Sequence, residues 1–145
     1  MKSKKISIVF VLVAAFVMGM FAPPAAVSAS TKKNITIWRM SDNKMQYHKA
    51  YVSTSYLPNC EWENIIGGGK RQSIALSSKC KFYTFNFEKM QVSKKPVPKA
   101  KFIKATYANQ AEAFFSNGKK YYGGPYCIIT IRHGKVVKVV QQYQA

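Results

Sequence analysis

Alternation of apolar and polar residues, the two-residue period of a strand with one buried face, dominates the chain beyond residue 30. Asn34 to Met40 (NITIWRM) sets Ile35, Ile37 and Arg39 on one face and Thr36, Trp38 and Met40 on the other. Tyr47 to Tyr56 is rich in tyrosine, valine and threonine, so both stretches predict strands. Pro58-Asn59 and Gly67-Gly68-Gly69 punctuate the next stretch, which predicts a short strand or loop over Cys60 to Ile66 and a turn at the glycines. Ser73 to Leu76 and Cys80 to Phe87 predict two further strands.

The clearest pattern is the C-terminal hairpin, Tyr126 to Tyr143, with His133-Gly134 as a two-residue turn between β-branched runs. An unbroken register from that turn pairs Ile131 with Val136, Ile129 with Lys138 and Cys127 with Val140. Both faces are mainly apolar, which predicts cover on both sides. One helix is predicted, over Asn109 to Asn117, where an amide cap and alanines precede Gly118 as a stop. Ahead of it, Ser93 to Lys104 carries lysines around Pro96 and Pro98 and reads as an exposed, extended segment leading into a strand near Phe102 to Tyr107.

Strands, one helix and a terminal hairpin, in that order, predict a mainly β fold with one short helix. Two architectures fit. One is a small five-to-seven-stranded barrel of the oligonucleotide/oligosaccharide-binding (OB-like) kind, its helix between the third and fourth strands. The other is a strongly bent antiparallel sheet with a helix packed on it.

The first 29 residues break the strand pattern. Lys2, Lys4 and Lys5 precede an uncharged apolar run from Ile6 to Phe21, and Val27-Ser28-Ala29 supplies the small residues that a signal peptidase reads. The expected organisation is a signal peptide over 1–29, cut near Ala29, and a single basic domain over 30–145, secreted or held in the periplasm or cell envelope. Removing three lysines and no acid from a chain of formal charge +18 leaves +15, so the basicity belongs to the domain. A field of that sign attracts an anionic polymer, an anionic membrane surface, nucleic acid or an acidic protein.

Export makes disulfides permissible, and Cys60 and Cys80, flanking the glycines, are the candidate pair, with Cys127 as a buried small hydrophobe. Two histidines, three scattered cysteines and five acids show no ligand spacing of the zinc or calcium kinds, so no metal or cofactor is expected. Gly67 to Ser73 lacks the Gly-Lys-Ser/Thr ending of a phosphate loop, because Arg71 stands where the hydroxyl belongs.

The expected role is non-catalytic binding of an anionic partner. Lys94, Lys95, Lys99, Lys101 and Lys104 form the expected contact stripe, with Lys70, Arg71, Lys119 and Lys120 as additions. The alternatives are a small secreted nuclease using His48 and His133 as general base and acid, and a protein–protein module such as an inhibitor or envelope accessory factor.

Overall fold

A computed structural model of the chain describes residues 29–53 and 64–144, and every described strand and helix belongs to the compact unit Thr31–Ala145. In chain order that unit contains β1 (Thr31–Met40), β2 (Lys44–Ser53), β3 (Asn64–Tyr83), β4 (Phe85–Asn86), β5 (Gln91–Val92), α1 (Lys99–Thr106), β6 (Ala113–Ser116), β7 (Lys119–Tyr122), β8 (Tyr126–Arg132) and β9 (Lys135–Gln141). It is mainly β with one short helix.

Seven strands form one sheet in the order β2-β1-β8-β9-β3-β7-β6, and a further β2–β3 pairing closes five of them into a ring. The closure depends on β3, which is 20 residues long. Its first half runs antiparallel to β2, from Asn64 opposite Ser53 to Ala75 opposite Lys44. Its second half runs parallel to β9, from Ala75 opposite Lys135 to Tyr83 opposite Val140. The helix falls between the third and fourth ring strands, β3 and β8, and the whole fits the bent sheet with a helix packed on it.

Inside the ring lie Ile35, Ile37, Met45, Tyr47, Leu76, Cys127, Ile129, Val136 and Val139, all buried. From α1, Phe102 is fully buried, its ring 5.2 Å from that of Phe82. Burying such a ring contributes about 2–3 kcal/mol.

Three local expectations are corrected. The helix lies at Lys99–Thr106, not at 109–117. Pro98 is fixed at φ −59 at its N-cap, where proline costs no hydrogen bond, and Phe102 and Thr106, four residues apart, share the buried face. The segment is extended as far as Pro98 (ψ 148), with Val97 bridged to Phe82, and the helix then takes the place of the strand expected near Phe102 to Tyr107. The segment read as a helix instead supplies β6 and, through Asn117-Gly118, a hairpin to β7. Both turn residues have positive φ (51 and 76), the geometry of the Asn-Gly turn.

The triple glycine is not a turn but part of β3. A Cβ on Gly67 would collide with the Thr36 hydroxyl and lie 3.0 Å from the Tyr122 carbonyl oxygen, so glycine is what lets three strands meet there.

The terminal hairpin turns at His133-Gly134, with φ of 51 and 71, and Ile131 faces Val136 as expected. Beyond that pair the register slips, so that Ile129 faces Val139 rather than Lys138, and Cys127 faces Gln141 rather than Val140. The bulge inverts the alternation, which is why Val136 and Val139, three residues apart, are both buried.

Candidate functional site

Two bulges on the outside of the ring gather aromatic and cationic side chains. In β1 the register shifts between Ile37 and Arg39, leaving Trp38 unpaired and bringing Arg39 to the outer face instead of the Ile35–Ile37 face. In β3, Gly69, Lys70 and Arg71 stand opposite the single residue His48, because Gly68 pairs with Lys49 and Gln72 with Tyr47. Gly69 takes φ 75 to make that excursion. β7 then adds Tyr122, paired with Gly67.

These residues interlock. The His48 ring stacks on that of Tyr122, with centroids 3.7 Å apart and planes within 6°, and Trp38 meets both edge-on at 5.8 and 5.5 Å. The Arg71 guanidinium carbon lies 4.3 Å from the Trp38 ring centroid and 5.6 Å from that of Tyr122. The Arg39 guanidinium lies 4.4 Å from Trp38, and Lys120 Nζ 5.8 Å from Tyr122. Three cations thus converge on two aromatic rings.

The two arginines are held differently. Arg39 Nη1 donates to the carbonyls of Trp38 (2.6 Å) and Ala111 (2.9 Å), which spends part of its hydrogen-bonding edge on the fold. Arg71 forms no ion pair with an acid among the described residues, where the ion pair is Lys99–Asp42. A guanidinium laid over aromatic rings keeps its planar N–H edge for two parallel bonds to an oxyanion.

Beneath the patch, His48 is fully buried and neither ring nitrogen has a hydrogen-bond partner among the described residues. Thr36, paired with His48 across the β1–β2 ladder, is equally buried and its hydroxyl is equally unpartnered. Burial first, and then the Arg71 charge, hold the His48 pKa down to about 4. The imidazole is therefore neutral at pH 7 and leaves the positive charge of the patch to Arg71, Arg39 and Lys120.

The other predicted residues divide into two groups. Lys70 and Lys119 are exposed and adjacent in sequence to Arg71 and Lys120, but neither lies over the aromatic rings that those two cations reach. Lys94, Lys95, Lys101 and Lys104 are exposed on the loop before α1 and on α1 itself. Lys99 instead serves the fold, with Nζ donating to the carbonyls of Asp42 (2.8 Å) and Ser41 (3.3 Å) and lying 3.7 Å from the Asp42 carboxylate.

His48 and His133 are not brought together. Tyr126 shares the Thr36 position with His48, and His133 lies seven residues farther along, roughly 20 Å at strand rise. Cys80 carries a free thiol that burial pushes up to about 12, and its candidate partner Cys60 lies outside the described residues. Cys127 is fully buried, and burial raises its thiol pKa strongly.

Trp38, Arg39 and Tyr122 were not among the expected contact residues. Their signal was local: an aromatic next to a cation in Trp38-Arg39 and in Lys119-Lys120-Tyr121-Tyr122. Comparison of the chain with protein-family models, curated proteins and solved structures gives no match.

Proposed function

We propose that the domain binds an anionic polymer non-catalytically, outside the cytoplasm, through oxyanion groups received at the Arg71 patch. The observation that carries this reading is the Arg71 guanidinium, positioned over Trp38 and Tyr122 without a described carboxylate partner, with Lys120 on the same tyrosine. The faces of Trp38 and Tyr122 are taken up by Arg71, Arg39 and His48, so the patch offers N–H edges and charge rather than bare rings. That favours phosphate, sulfate or carboxylate groups over stacked bases. The surplus of 20 basic over 5 acidic residues beyond residue 29 supplies the long-range attraction, with the exposed lysines on and before α1 as a second contact region. Hydrolysis through paired imidazoles draws no comparable support, because His48 is sealed and His133 is distant.

The test is binding of heparin and polyphosphate across a salt series, with Arg71→Gln and Lys120→Gln. The parent is expected to lose affinity steeply as salt rises, and each substitution to lower the logarithmic salt slope by about one. Equal binding in low and high salt, or an unchanged slope in the double variant, refutes the reading.

A further inference from the structure

We propose that the open pocket between the C-terminal end of α1 and the last residues of the chain is a binding site for an uncharged saccharide unit, separate from the Arg71 patch. Its volume is ≈ 470 Å³, within the range of small-ligand sites. In a chain with 23 basic residues, not one Lys, Arg, Asp or Glu among the described residues lines it. Its lining combines two aromatic rings with three glutamine amides. That chemistry suits a ring with apolar C–H faces and hydroxyl edges: Gln110 keeps donors and an acceptor, Gln141 keeps its Nε2 donors, and Gln144, whose two N–H groups are spent on backbone carbonyls, keeps one lone pair.

The pocket is built rather than incidental. Gln144 Nε2 donates to the carbonyls of Ile65 (3.1 Å) and Gly124 (3.3 Å), while its Oε1 accepts from the Tyr126 N–H at 3.2 Å. Gln141, 7% exposed, is oriented by its Oε1 accepting the Phe85 N–H at 2.8 Å. Gln110 brings a third amide to the exposed rim. At Gly124, φ is 117 and a Cβ would collide with the Ile37 carbonyl, so one wall is bare backbone.

The aromatic rim carries the most telling feature. Tyr107 ends α1 with φ 55 and ψ 34, the left-handed conformation that glycine ordinarily supplies after a helix. Tyr107 is 65% exposed, and Phe87, which also lines the pocket, is 49% exposed. Met90 and His133 take the same left-handed conformation, so what sets Tyr107 apart is that it lines the pocket while largely exposed. A ligand ring received there covers both Tyr107 and Phe87. Phe87 is itself backed by Phe85 at 5.1 Å and Tyr143 at 6.2 Å, which fixes that wall.

The experiment is an amide NMR titration of the full domain with cellotetraose, maltotetraose and the tetramer of N-acetylglucosamine, in about 0.5 M NaCl to silence ionic contacts. At least one of these neutral sugars is expected to bind saturably, with shifts centred on Tyr107, Gln110 and Gln141. Tyr107→Gly removes the ring and relieves the backbone, so it is expected to fold at least as well as the parent and to bind at least about tenfold more weakly. Arg71→Gln is expected to bind the sugar as the parent does, which keeps this result distinct from the polyanion reading. Absence of saturable shifts with all three sugars at about 10 mM overturns the proposal, as does unchanged affinity in Tyr107→Gly.

Discussion

Lowering the pH from 7 to 4 destabilises this domain through His48, and the size of the effect follows from the site. An unfolded histidine takes up its proton near 6.5, whereas the buried imidazole refuses it until about 4. Between those values the unfolded chain binds a proton that the fold does not, so stability falls as pH drops through the window and levels off below it. The full shift corresponds to a ceiling of about 3.4 kcal/mol at 1.36 kcal/mol per pH unit. The part due to Arg71 acts through a side chain that solvent screens, which brings the expected loss to about 2 kcal/mol. With only five acids in the chain, few carboxylates add to it.

His48→Phe is the control: it keeps a ring to stack on Tyr122, removes the titration and replaces two unpartnered buried nitrogens. Urea unfolding at pH 7, 6, 5 and 4, followed by circular dichroism, measures the stability difference between parent and variant at each pH. The parent is expected to lose about 2 kcal/mol more than the variant over that range, and at pH 7 the variant is expected to be no less stable. Parallel pH profiles refute the reasoning, as does an NMR titration midpoint for His48 near 6.5.

Other substitutions probe features with different causes. Gly67→Ala is expected to cost about 2–3 kcal/mol in urea unfolding, because the new methyl meets Thr36, His48 and the Tyr122 backbone together. Phe102→Ala should cost about 3–4 kcal/mol, since that ring is the helix's fully buried contribution to the core. His133→Asn should gain up to about 1 kcal/mol, read from the melting temperature, by placing a residue that tolerates positive φ at the hairpin turn. The Cys80 thiol, pushed up to about 12 by burial, is expected to react with iodoacetamide at pH 8 far more slowly than free cysteine does, followed by intact mass.

The fold class was legible because strand alternation is a local signal, and so was the terminal turn, because His133-Gly134 sits between β-branched runs. What local pattern could not carry was the phase of each strand. One extra residue at Trp38, and another within Val136 to Lys138, decides which side chains enter the core, and nothing in either stretch marks the slip. The helix was misplaced because Phe102 and Thr106 show a helical spacing only over two turns, amid lysines and prolines that suggest an open chain. The site was half legible. Arg71 and Lys120 stood out by charge, but Tyr122 is brought to them by a strand pairing across 55 residues of sequence, Gly67 with Tyr122.

The double role of β3 also sets an order of events. Its second half can pair with β9 only after residues 135–140 exist, about 60 residues later in the chain, so ring closure waits for β9. A nascent chain lacking the last hairpin holds β2 and β3 together at one end and leaves the Leu76–Phe82 half of the core open. Such a chain cannot close its core until β9 is made, a useful property for one proposed to pass through a membrane as a thread and to fold on the far side.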